Sequence, residues 1–144
     1  MNSTLYDRDF VQWTAETARL LRERRFDEID AELVAEEIED MGKRDRRELV
    51  SRLRVLLSHL LKLKFQPEKQ SGSWRNTIRN QRFKLEQVLK DSPSLKAALP
   101  QWIDEAYAAA VARAADETGL PVETFPARCP FPPAQILDPD FFPD

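Results

Sequence analysis

The chain has 144 residues, 42% of them apolar and 33% charged, with a net charge of −3, 3 glycines, 10 prolines and a single cysteine. This size suits one domain with a modest core, the apolar content excludes a disordered chain, and the shortage of glycine leaves little material for hairpins and sheets. Cys129 alone excludes an intrachain disulfide, no apolar run reaches the length of a membrane span, and Met1–Asp7 lacks the basic-then-apolar pattern of a signal peptide; a cytoplasmic protein is expected.

A first helix is predicted from about Asp7 to Arg24. Phe10, Trp13, Thr17, Leu20 and Leu21 share a face at helical spacing, with acids at the start and arginines at the end to suit the helix dipole. The second helix starts at Asp30, a good N-cap. Val34, Ile38 and Met41 keep phase with Leu49, Leu53, Leu56, Leu60 and Leu63 across Gly42. A glycine costs a helix about 1 kcal/mol, which does not end it. One long helix to about Phe65 is therefore predicted, bent at Gly42 and stopped by Pro67.

A third helix, capped by Ser71 or Ser73, runs to about Asp91. Trp74, Ile78, Gln81, Leu85 and Val88 step by four and three, the spacing of a seam that faces a partner helix. Ser92-Pro93-Ser94 breaks the chain. The fourth helix starts at about Leu95 or Pro100 and ends at Thr118, with Ala106, Ala110 and Ala114 allowing close approach and Gly119 and Pro121 ending it. The segment from Pro121 to Asp144 carries seven prolines but also four phenylalanines. It is predicted to wrap the bundle, with a helical turn at Pro133–Leu137. The expected architecture is an all-α bundle of about four helices over residues 1–120, one of them long and central, covered by a packed Pro/Phe-rich segment over 121–144.

Charge is unevenly spread. Lys43 to Lys90 holds 14 basic and 4 acidic residues, net +10, and the rest holds 8 and 21, net −13. Either the basic stretch offers a surface to a partner, or the oppositely charged segments neutralise each other.

Tyr6-Asp-Arg-Asp-Phe-Val-Gln-Trp-Thr14, Glu36-Glu-Ile-Glu-Asp-Met-Gly42, Ser73-Trp-Arg-Asn-Thr-Ile78, Glu117-Thr-Gly-Leu120 and Ile136-Leu-Asp-Pro-Asp-Phe141 follow one another in order. In these landmarks, and in others between them, the chain resembles the bacterial family known only as domain of unknown function number 29. The resemblance spans nearly the whole chain. It implies an α-helical bacterial domain and supplies no catalytic residues.

Few constellations suggest chemistry. His59, the one histidine, is placed by the helical wheel about a quarter-turn off the leucine face, beside Arg52 and nearly in line with Glu48. It is either a base or a structural, hydrogen-bonded side chain. Glu36, Glu37, Glu39 and Asp40 crowd one helix. A di-iron site would need a Glu-x-x-His pair from each of two helices, and Leu56 precedes His59 by three, which excludes it; the acids either hold a single Mg²⁺ or Mn²⁺ or, as expected, serve the helix dipole and solvation. Gln81 interrupts an apolar seam and needs hydrogen bonds, or it costs about 1–3 kcal/mol. Arg75, Arg79 and Arg82 form, with Trp74, an edge suited to phosphate, an acidic peptide or a single-stranded nucleic acid. The alternative is that these arginines pair with Asp104 and Glu105 or with Glu36 to Asp40. Phe83 faces away from the seam and is expected to lie under the C-terminal segment, with a dimer contact as the alternative. No phosphate loop, zinc spacing or nucleophile elbow is present.

The candidate interaction or ligand face is thus His59, Trp74, Arg75, Arg79, Gln81 and Arg82. No catalytic residue, metal or cofactor is assigned. The leading expectation is a non-enzymatic module that docks another bacterial protein through a basic helix face, without membrane attachment and with a homodimer left open. The alternatives are a nucleic-acid-binding accessory protein using the Arg75 edge and the Lys43–Arg47 run, or a small-ligand or metal-dependent enzyme around His59.

Overall fold

Seven α-helices and three 3-10 turns, with no strand, make up the described residues, Thr4–Asp144, of the computed structural model. Met1–Ser3, the start of the stretch read for a signal pattern, lies outside them. The chain divides into two compact units, Met1–Lys43 and Arg44–Asp144.

The first unit holds α1 (Leu5–Arg8), α2 (Phe10–Arg22) and the opening turns of α3 (Ala31–Phe65). The single first helix expected from Asp7 is broken at Asp9. This residue leaves helical geometry, at φ −154° and ψ 89°, and its carboxylate accepts the Gln12 N–H at 3.0 Å. A short acid that can cap a new helix competes with continuing the old one. Arg24 ends the reading in a left-handed conformation, φ 59°. The Arg24 and Arg25 N–H groups then donate to the Leu21 and Leu20 carbonyls at 3.1 and 2.9 Å, a Schellman stop without its usual glycine. Asp30 caps α3 as expected, accepting the Leu33 N–H at 3.1 Å.

Tyr6 packs edge-on against Phe10 and Trp13, with centroids 5.5 and 5.0 Å apart, and its hydroxyl donates to Glu37 of α3. Trp13, Thr17 and Leu20 are half-buried, whereas Phe10 and Leu21 stay exposed. From Thr4 to Lys43 no residue is buried. The predicted apolar face exists, but this unit covers only one flank of it.

In the second unit the same periodicity closes a core. α3 runs unbroken through Gly42 to Phe65, and the buried seam begins at Leu49 and continues through Leu53, Leu56, Leu57, Leu60, Leu61 and Leu63. Fully burying one such leucine is worth about 1.5–3 kcal/mol. α4 (Gly72–Asp91) is capped by Ser71, whose hydroxyl accepts the Trp74 N–H at 3.3 Å. The predicted fourth helix is two pieces, α5 (Pro93–Ala97) and α6 (Leu99–Thr118), joined at Ala98. Proline in the first turn of each piece lets a new helix start there. Ala106, Ala110, Ala114 and Ala115 of α6 are buried and admit close neighbours. Gly119 ends α6 at φ 77°, a conformation that glycine adopts without strain.

The C-terminal segment packs as expected and forms α7 at Pro133–Leu137. Phe125, Phe131 and Ile136 are buried in the core. Phe125 meets Phe65 edge-on at 5.4 Å. The Tyr107 hydroxyl donates to the Pro126 carbonyl at 2.6 Å, and burial pushes this phenol up to about 12.

Candidate functional site

The edge that composition singled out on α4 is built into the structure, but with different partners. α4 buries Ile78, Arg82, Leu85 and Leu89, a four-three-four spacing with an arginine in the second place. Arg82 is only 5% exposed. Its guanidinium donates three times to C-terminal carbonyls: Nε to Ile136 at 2.9 Å, one Nη to Phe141 at 2.7 Å and the other to Gln135 at 3.1 Å. A planar fork with five donors suits three converging carbonyls as no other side chain does. Burial holds this guanidinium below its ordinary pKa range. Arg82 is therefore a fastener for the last segment of the chain rather than part of an open edge.

Arg75 and Arg79 also lean on that segment. Their guanidinium carbons lie 4.6 and 5.4 Å from the centre of the Phe142 ring. Arg75 donates to the Gln70 side chain at 3.0 Å. Neither these arginines nor Arg82 pair with the carboxylates of Asp104 or Glu105 among the described residues. The aromatic partner of the arginines is Phe142, not Trp74. Trp74 instead carries the Lys62 ammonium over its ring at 4.6 Å.

His59 is buried on α3, with Nδ1 2.9 Å from the Val55 carbonyl, the position of a donating N–H. The carboxylate that acts on it is Glu117 of α6, whereas Glu48 pairs with Arg52 at 3.5 Å. Burial lowers the imidazole's pKa below its usual value, and the charges of Lys62 and Arg113 add to this. Lys62 donates to Glu117 at 2.6 Å and Arg113 donates to it at 3.0 Å. Burial alone would raise the Glu117 carboxyl, but these two donors outweigh it and hold the group below the carboxylate range. The cluster ties α3 to α6. Its members are widely spaced in sequence, which is why the helical wheel of one segment missed it.

The Gln81 Oε1 is buried without a hydrogen-bond partner, as is the Trp102 indole N–H. Arg82 lines two adjoining grooves, of about 420 and 330 Å³. Both run between α4 and the C-terminal segment and share Glu86, Leu137 and Pro139; neither includes His59 or Gln81. So the six predicted residues do not converge. Arg79 and Arg82 meet at this groove, His59 lies on α3, and Gln81 looks inward.

Sequence reasoning passed over two groups at the groove and misplaced a third. Lys90 and Lys96 stand at one end. Phe83 lines the other end and is 63% exposed. The C-terminal segment had been expected to cover Phe83. Arg82 instead draws that segment along the seam side of α4, so Phe83 stands at the edge of the groove and is not covered. Among the described residues no three His, Cys, Asp or Glu side chains group as metal ligands, and no helix is long and apolar enough to cross a membrane.

An all-α bundle closed by an arginine-fastened C-terminal segment is the class of protein defined here. Residues 5–142 match the family model described as domain of unknown function DUF29, and the chain belongs to that family. No curated protein and no solved structure matches it.

Proposed function

We propose that this domain is a non-enzymatic docking module, and that the groove between α4 and the C-terminal segment takes an acidic, apolar-bearing stretch of another protein in the bacterial cytoplasm. The observation that carries this reading is Phe83, largely exposed beside Arg79 on a groove whose floor is Leu137 and Pro139. Exposed aromatic and arginine side chains at a concave apolar surface are the usual anchors of a protein contact. Lys90 and Lys96 extend the basic rim, with Glu86 as the one acid among the lining residues. Basic rims steer acidic partners and fix their register. The unpaired thiol of Cys129 suits a reducing compartment.

The test places a photo-crosslinking amino acid at position 83 of the full chain in the cell. One protein should be trapped, through a segment rich in Asp and Glu, and the adduct should vanish with Arg79→Glu or Lys96→Glu while thermal stability holds. A control probe at Val122, exposed on another part of the second unit, should not trap it. Trapping of nucleic acid, or adducts indifferent to both charge reversals, would refute the reading.

A further inference from the structure

The N-terminal unit carries a second surface, independent of the groove. Tyr6, packed on Phe10 and Trp13, also donates to Glu37 of α3, so the start of α2 and the second turn of α3 lie together, and we infer that the two helices form an antiparallel hairpin. With about 100° between successive residues, Phe10, Val11, Ala18 and Leu21 fall within roughly 100° on α2. On α3, Met41, Val34, Ile38, Ala31 and Ala35 span roughly 120°. In antiparallel helices these flanks point to the same side of the hairpin. Phe10 is 44% exposed, Ile38 62% and Met41 59%, and Val11 and Leu21 are exposed as well.

Most of the charge lies off this face, with Arg22 and Glu39 at its edges. Residues 4–43 hold 6 basic and 12 acidic side chains, net −6. Glu32 and Glu36 lie on the far side of α3 from Ile38, Glu39 stands at the edge of the face, and Glu16 and Arg19 lie on the far side of α2 from Phe10. Glu16, Glu23 and Glu28 are also tied up by Arg19 and Arg25. A neutral face on an acidic hairpin does not repel its own copy. Alanines among the large side chains let a facing helix approach closely.

We propose that two copies of this chain pair through this face, the two hairpins forming a four-helix bundle about a two-fold axis. A lone two-helix hairpin buries nothing, as residues 4–43 show. Four helices are the ordinary way to enclose such a stripe. From the exposures given, the large side chains and alanines offer roughly 700 Å² per copy, beyond the ~300–600 Å² patch of a typical monomer. Two such faces bury about 1,400 Å², within the ~1,200–2,000 Å² of a stable interface. A two-fold axis makes the patch self-complementary and uses each residue twice.

Sedimentation equilibrium on the full chain tests this. The wild type should be a dimer at micromolar concentration. Ile38→Glu and Phe10→Glu should each raise the dimer Kd by roughly 100-fold or more, because symmetry buries two new charges. Far-ultraviolet ellipticity should be unchanged, since both positions are exposed in the monomer. Glu36→Gln, on the far side of α3, should leave Kd within twofold. In a Cys129→Ser background, Ile38→Cys should give an intermolecular disulfide under mild oxidation, and Glu36→Cys should not. A monomeric wild type overturns the proposal, as does a dimer indifferent to both glutamates or a hairpin that pairs only with a different protein. Loss of groove crosslinking at Phe83 would leave it standing.

Discussion

The two units obey the same helical periodicity and come to opposite ends. Among the described residues every buried apolar side chain lies at or after Leu49, and from Thr4 to Lys43 there is none. Phe10, Leu21, Ile38 and Met41 are as oily and as regularly spaced as Leu53, Leu56 and Leu60. The leucines of the second unit are enclosed because α4, α6 and the C-terminal segment surround them. Two helices side by side cannot enclose anything. An apolar stripe is thus a request for neighbours, and whether it becomes core or surface depends on how many elements answer it.

The sharpest way to break this contrast is to truncate one aliphatic side chain on each side of it. Leu60→Ala, at a fully buried site, should cost about 3–5 kcal/mol by denaturant titration. Ile38→Ala should cost under about 0.5 kcal/mol in the monomer. Equal losses would mean that the N-terminal unit has a core after all. Next in size is Arg82→Ala, expected to cost about 3 kcal/mol, because three carbonyls lose charge-assisted donors worth about 1.5–3 kcal/mol each, partly replaced by water. Limited proteolysis should then cut between residues 121 and 144. Arg82→Lys should not restore protection, since an ammonium lacks the planar fork.

A smaller effect separates the units by pH. Burial keeps His59 neutral in the fold, so its folded pKa lies below its unfolded one. Between those two values the unfolded chain binds the extra proton, and stability falls as pH drops below about 6.5. The loss should be read as a lower denaturation midpoint at pH 5.5 than at pH 7.5, and most of it should disappear in His59→Gln. The smallest effect is in the N-terminal unit. Arg24→Gly relieves a left-handed residue and should stabilise by about 0.5–1 kcal/mol, seen as a Tm raised by a few degrees. No change would mean that the strain is carried elsewhere.

Much of the fold was legible because helices announce themselves locally. The long helix from Asp30 to Phe65, the Ser71 cap, the Gly119 stop and the short helix at Pro133 all rest on residues within one turn of each other. Asp9 was misread because an acid near a helix start suits either the first turn or a new cap, and only the packing of Tyr6 against α3 decides. Arg82 was legible in hindsight: Ile78, Arg82, Leu85 and Leu89 are spaced as a seam. Its charge marked it as surface, and the three carbonyls that satisfy it lie 53 to 59 positions away. The Lys62–Glu117 pair and the Phe142 ring under Arg75 and Arg79 were hidden for the same reason. Phe83 failed differently: the wheel placed it correctly, but not the path of the segment expected to cover it.

The Arg82 fastening also couples two steps in how the second unit is made. Its guanidinium sits in the core facing oxygens of residues 135, 136 and 141. Until residue 141 has emerged from the ribosome, α4 would have to seal a charge away from water with nothing to receive it. Sealing this side of α4 and seating residues 135–141 are therefore coupled, because the charge can leave water only where those oxygens already stand.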